Sequence, residues 1–181
     1  MKLIFDTETT GLPIKTDRNL PSPTNTEAYN SARLIELAYT ILDKNNFVVK
    51  TESFLVSGLI IENVGVHGIT TEMCKDGLPI KDVLEKFKAD VSTCEILIGH
   101  NIEFDISIIE AEHFRLFGTL IGLEKKKIFC TMKIGSKITG KYPKLSELHS
   151  KFFPEDVFKG HRALKDVYAT KKCYFALNMY T

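Results

Sequence analysis

Two carboxylates one residue apart, Asp6 and Glu8, stand in the run Phe5-Asp6-Thr7-Glu8-Thr9-Thr10-Gly11 near the start of the chain. The preceding Leu3-Ile4-Phe5 reads as a strand, and strand side chains alternate with period two, so both acids project from one face. Carboxylates about 4 Å apart repel by roughly 4 kcal/mol at an effective dielectric of about 20, unless a proton or cation sits between them. A divalent metal answers that repulsion, and Gly11 at the turn exposes backbone N–H groups to a ligand. A second group is Gly99-His100-Asn101-Ile102-Glu103-Phe104-Asp105, directly after the strand Ile96 to Ile98. A helix beginning near Asn101 puts Asn101 and Asp105 at i and i+4, on one face and at the strand's carboxyl end, where open α/β sheets bind ligands. A third is Gly160-His161-Arg162-Ala163-Leu164-Lys165-Asp166. There a loop histidine, suited to proton exchange near neutral pH, precedes a helical carboxylate. Taken singly, each group also has a plainer reading as a solvated strand end, a helix cap or a surface histidine.

The elements carrying these groups must bring three distant segments together. Lys2 to Thr7, Arg33 to Asp43 and Phe47 to Val56 read as strands, and the polar turn Lys44-Asn45-Asn46 makes the last two a hairpin. Residues 12 to 32 hold Pro13, Pro21 and Pro23 among many Asn, Thr and Ser, and read as a long irregular loop. Ile80, Val83, Leu84, Phe87 and Val91 follow helical spacing from Pro79 to Ser92, and Ile96-Leu97-Ile98 reads as a short buried strand. Phe104, Ile108, Ile109 and Leu116 mark the next helix and Ile128-Phe129-Cys130 a further strand. Two later helices run over Leu145 to Phe152 and Leu164 to Leu177. Strands first, then alternating helices and strands, imply an α/β fold with a mixed sheet flanked by helices. With no repeat, low-complexity stretch or linker, residues 1–181 read as one domain.

Composition narrows the classes. At 181 residues with 44% hydrophobic and 26% charged residues, the chain can bury a sizeable core, and disordered, collagen-like and coiled-coil classes fit poorly. A formal charge of +1 means that attraction to an anionic partner must come from local clustering. Lys125 to Lys144 is such a cluster, with seven lysines and no acid; it reads as a phosphate track or as a solvated face. No apolar run approaches the roughly 18 to 20 residues of a membrane span, and the N-terminal apolar stretch stops at Asp6, so an intracellular protein rather than a membrane or secreted one is expected. Cys74, Cys94, Cys130 and Cys173 are scattered without a CxxC pair, as buried reduced thiols would be.

Taken in order, the three motif segments resemble the DEDDh family of 3′–5′ exonucleases, which includes the proofreading subunits and domains of DNA polymerases. Asp6 and Glu8 fall on the DxE of the first motif, Asp105 on the acid of HNxxFD and Asp166 on the acid of the third. His161 lies five residues before Asp166, as in the histidine subtype, and Val66-His67-Gly68-Ile69-Thr70 resembles the family's VHGIT segment. The loop over residues 12 to 32 is longer than in compact members, and Cys130 stands where many relatives have an acid. The resemblance implies an RNase H-like fold, a five-stranded mixed sheet with helices on both faces. It also implies two-metal phosphodiester hydrolysis with two Mg²⁺ or Mn²⁺ ions held by Asp6, Glu8, Asp105 and Asp166, and His161 as general base. The expected product is a nucleoside 5′-monophosphate released from the 3′ end of single-stranded or frayed nucleic acid. By the same analogy Thr9, Thr10 and Gly11 contact the terminal nucleotide, with Leu12 as an apolar wedge. Asn101 and Phe104 approach the strand, and His67 and Ile69 line the terminal pocket. DNA is favoured over RNA, in proofreading or repair, and a polymerase or replication partner is open. Exoribonuclease activity and a catalytically silent nucleic-acid-binding accessory module are the competing expectations.

Overall fold

Which side of the sheet each residue serves is decided by alternation along β1 (Lys2–Thr9). Leu3 and Phe5 enter the larger core and Ile4 the core on the opposite face. The computed structural model describes residues 1–15, 19–158 and 160–179. β2 (Leu34–Leu42) and β3 (Val48–Leu55) form the expected hairpin, with Asn46 in the left-handed conformation its turn requires. β4 (Ile96–Gly99) and β5 (Lys127–Cys130) complete a five-stranded sheet in the order β3-β2-β1-β4-β5. β1 pairs antiparallel with β2 and parallel with β4, so the sheet is mixed and changes direction sense at its central strand.

Helices cover both faces. α1 (Val64–His67) is a single turn; α2 (Ile80–Ser92) and α3 (Ile102–Phe117) pack Val83, Leu84, Phe87, Val91, Ile102, Ile108 and Ile109 beneath Leu3, Phe5, Leu37 and Tyr39. α4 (Thr131–Thr139) and α5 (Leu145–Phe152) lie beside α6 (Ala163–Asn178), whose Ala163, Val167 and Tyr174 cover Ile4, Ala38 and Ile98. The four cysteines are free and buried, as expected. Among the described residues no helix is long and apolar enough to cross a membrane.

Two sequence expectations need amending. The sequence reading gave no helix over α4, whose nine residues contain Gly135 and two threonines. Likewise the lysine-rich stretch is not continuous in space. Lys125 to Lys127 lie at the amino end of β5, whereas Lys133 onward follow its carboxyl end. Since β1, β4 and β5 run parallel, the first three lysines sit at the end of the sheet opposite Asp6 and Glu8. Lys133 pairs with Glu103 and Lys141 with Glu147, which leaves less of a phosphate track than the sequence promised.

The aromatic cluster of Phe5, Phe87 and Tyr39 ties α2 to the two central strands, with ring centroids 5.4 and 5.5 Å from Phe87. Phe87→Ala should therefore cost about 3–5 kcal/mol in urea unfolding. A loss under about 1 kcal/mol would show that this contact does not hold the sheet to α2.

Candidate active site

β4 stops pairing with β1 at Ile4, while β1 continues to Thr9 paired only with β2. The unpaired edge lies at the carboxyl end of the central strand. Asp105, 3% exposed in the first turn of α3, fills the gap: its Oδ1 accepts the Thr7 backbone N–H at 3.0 Å and the Thr7 hydroxyl at 2.6 Å. Thr7 alternates onto the α3 side of the strand, so Asp6 and Glu8 alternate onto the α6 side with Ile4. There they meet Asp166. One oxygen from each of Asp6, Glu8 and Asp166 lies within 4.8 Å of the others, a geometry that can hold a metal ion.

A fifth carboxylate joins them. Glu36 on β2 stands directly across from Glu8 in the sheet register and is 1% exposed. It accepts Nε and Nη2 of Arg162, at 3.2 and 2.9 Å, and the backbone N–H of Ala163 at 2.9 Å. Glu36 thereby pins the start of α6, which sets where Asp166 comes to rest. Nothing in the local sequence of β2 marks it; only the cross-strand register does. Arg162 is thus a positioning cation.

Burial and mutual repulsion shift the titrations upward. Desolvation, with Asp166 and Glu36 adding repulsion, pushes Glu8 up to about 8. Burial raises Asp105 to about 7 against the lowering influence of the Thr7 hydrogen bonds. Asp6 is raised well above the ordinary carboxylate range by burial and then by Asp105, Asp166 and Glu8; burial raises Asp166 too. Among the described residues the other four carboxylates have no ion-pair partner, because Arg162 is committed to Glu36. An all-oxygen, anionic donor set of this kind fits hard divalent ions such as Mg²⁺ or Mn²⁺.

His161 has a left-handed backbone, φ 75°, that turns its N–H onto Asp166 Oδ2 at 2.9 Å while its imidazole is exposed. Gly160 makes the approach feasible, since a Cβ there would lie 2.8 Å from Asp166 Oδ1. Beside the carboxylates lies a pocket of about 620 Å³ lined by residues of β1 and the following loop, including Thr9, Thr10, Gly11 and Leu12, and by His67 and Phe104. Leu12 is 72% exposed at its rim. His67 is buried; its Nδ1 accepts the Ile69 N–H at 3.0 Å, which assigns the proton to Nε2, and Nε2 has no partner among the described residues. One expected contact and one expected alignment fall elsewhere. Ile69 is fully buried with Ile35, Ile61 and Cys74, its N–H donated to the His67 ring. Asn101, left-handed at φ 63° and exposed, precedes α3 and faces an outer groove instead of sharing a face with Asp105.

The family model described as RNase_T, exonuclease, matches residues 3–174. The chain belongs to this exonuclease family. The PolC-type DNA polymerase III of Listeria monocytogenes is 32% identical over 124 residues, which is 67% of this chain and 7% of that polymerase. The chain therefore spans less than a tenth of that relative's length. In fold, it is similar to Escherichia coli Exonuclease I bound to a dT13 oligonucleotide, with a TM-score of 0.74 and 17% identity over 99% of this chain and 41% of that one. A 3′-exonuclease that recognises the histone mRNA stem-loop matches with a TM-score of 0.67 and 16% identity, covering 99% of this chain and 80% of the other.

The raised carboxyls give a sign to the pH dependence. Unfolding returns Glu8 from about 8 to its ordinary 4.5. Between those values the folded, metal-free chain holds a proton that the unfolded chain has lost, so the contribution is complete below about pH 4.5 and disappears as pH rises through about 8. In EDTA, Tm should fall between about pH 6 and about pH 8.5, and Glu8→Gln should flatten that fall and raise Tm at the upper end by at least about 3 °C. Thermal unfolding measured across this range decides it; parallel profiles for the two proteins would rule out the repulsion.

Proposed function

We propose that the chain is a metal-dependent 3′–5′ exonuclease that releases nucleoside 5′-monophosphates from the 3′ end of a single or frayed strand. The observation that carries this reading is the convergence of Asp6, Glu8 and Asp166 within 4.8 Å, with Asp105 anchored beside them on Thr7. Asp6, Glu8, Asp105 and Asp166 would hold two Mg²⁺ or Mn²⁺ ions, which supply an activated water and stabilise the leaving 3′ oxygen. The protein's own groups have distinct tasks. Asp6 would serve both ions, Glu8 and Asp166 the water side and Asp105 the leaving side. His161, exposed at the mouth and held by its backbone N–H on Asp166, takes the water's proton at its imidazole.

Orientation falls to the neighbouring pocket. The backbone of Thr9 to Gly11 approaches the terminal sugar, Leu12 separates the last two bases and Phe104 supports the base. His67 lines the same pocket, its ring held by the Ile69 N–H on Nδ1. The hydroxyl of Thr10 is given to Ser31 O at 2.9 Å and its N–H to Arg33 O at 2.9 Å, so Thr10 shapes the pocket wall instead of donating to the nucleotide. DNA is the favoured substrate because the polymerase relative shares 32% of aligned residues, and a proofreading or repair context with a polymerase partner follows the same likeness.

A 5′-labelled single strand, as DNA and as RNA, should shorten from its 3′ end with Mg²⁺ or Mn²⁺ and not with EDTA. Asp6→Ala and Asp166→Ala should abolish the ladder at unchanged fold. His161→Ala should lower kcat by roughly 10²- to 10⁴-fold. Binding of the strand without cleavage by the wild type would instead support a silent accessory module, and a faster RNA ladder would make the chain an exoribonuclease.

A further inference from the structure

Carboxylates crowded closely enough to hold a divalent ion also suit a guanidinium, which pairs with them through parallel N–H donors. Arg162 brings such a group to the edge of the site. Its backbone O accepts the Asp166 N–H at 3.0 Å, so it stands one helical turn from that acid. Its charge reaches Glu8, where it opposes the upward shift imposed by burial, Asp166 and Glu36. The chain therefore carries a competitor for the metal next to the residues that would bind it.

Glu36 is what occupies this competitor. Arg162 Nε lies 3.2 Å from both Glu36 oxygens and Nη2 lies 2.9 Å from Oε1, while Oε2 also accepts the Ala163 N–H at 2.9 Å. Glu36 is buried and stands directly across from Glu8 in the β1–β2 register. Cross-strand neighbours of this kind have Cβ atoms about 4.5–5.5 Å apart, so a guanidinium released by Glu36 meets Glu8 next. The Arg162 side chain is 38% exposed, which leaves it room to turn. Holding the start of α6 does not by itself call for an acid at this place, because a neutral amide oxygen would accept the Ala163 N–H equally well.

We propose that Glu36 sequesters Arg162, keeping its guanidinium off Glu8 and Asp166 so that their carboxylates stay available to the divalent ion. Glu36 is thereby a positioning residue that acts through Arg162. The proposal rests on the exonuclease reading above and goes beyond the pinning of α6, because it makes Arg162 an inhibitor of the site once Glu36 is gone. Losing both partners should then do less damage than losing Glu36 alone.

The test compares Mn²⁺ binding, by titration calorimetry without nucleic acid, in the wild type, in Glu36→Gln and in the Glu36→Gln, Arg162→Gln double variant. Glu36→Gln keeps an acceptor for Ala163 and removes the charge that holds the guanidinium, and the double variant has the net charge of the wild type. Glu36→Gln should weaken Mn²⁺ binding at least about tenfold, as competition from one charge-assisted pair predicts. It should lower kcat with Mg²⁺ on a single strand while leaving KM within about twofold. Adding Arg162→Gln should bring Mn²⁺ affinity back to within about threefold of wild type.

A double variant that binds Mn²⁺ no better than Glu36→Gln would overturn the proposal, since a purely structural pair loses at least as much when both partners go. Wild-type Mn²⁺ affinity in Glu36→Gln would overturn it too, and either result in a wild type that binds Mn²⁺ and shortens the strand leaves the exonuclease reading intact. Should Glu36→Gln fail to unfold cooperatively, Glu36→Asp with and without Arg162→Gln makes the same comparison, and the second substitution must again improve Mn²⁺ binding. A wild type that neither binds Mn²⁺ nor shortens any strand would overturn the exonuclease reading, and the proposal with it.

Discussion

Like charge crowded into a half-dry space is the constraint that organises this molecule. Five carboxylates from β1, β2, α3 and α6 gather at one end of the sheet, and burial and repulsion oppose the ionisation of Asp6, Glu8, Asp105 and Asp166. Much of the surrounding structure supplies donors to hold them there. Thr7 gives Asp105 two hydrogen bonds, the His161 backbone gives Asp166 one, and Arg162 with Ala163 neutralises and fixes Glu36. A protein that needed only stability would not keep such an arrangement, since replacing buried ionic groups by apolar ones is often neutral or stabilising.

The sheet divides the work between its two sides. The α2 and α3 face carries the larger core, and only Asp105 comes from it toward the site. The α6 face brings Asp166 and, through Glu36 and Arg162, fixes the helix start against β2. Because β1 lies between an antiparallel and a parallel neighbour, its carboxyl end is the place where β4 can stop short and open a space for chemistry. His100 closes the other side of that space structurally, bridging Thr131 Oγ1 at 2.9 Å and Pro143 O at 3.0 Å, which occupies both of its ring nitrogens.

Local periodicity made the motif acids legible in the sequence. Period two placed Asp6 and Glu8 side by side, and the helical start after Ile98 brought Asp105 to the strand's end. Glu36 escaped because its partner Glu8 is 28 positions away (36 minus 8) and only sheet register unites them. α4 escaped because Thr131, Gly135 and Thr139 are weak helix formers in a nine-residue helix; its packing depends on Gly135, where a Cβ would lie 2.9 Å from Leu148 Cδ1. Ile69 was misplaced because adjacency to His67 in sequence says nothing about which of the two turns inward. The lysine stretch was overread for a related reason: β5 carries its beginning to one end of the sheet and its end to the other.

The cap that Asp105 places on Thr7 bears on how an inert form of the protein should be made for capturing a substrate complex. Removing that side chain would subtract a charge and also uncover a backbone donor in the middle of the sheet, where no strand can reach it. The resulting protein would differ from the native one in shape as well as in reactivity. Asp6, which accepts no comparable strand-edge bond among those described, is the better place to silence the chemistry while keeping the cleft as the substrate meets it.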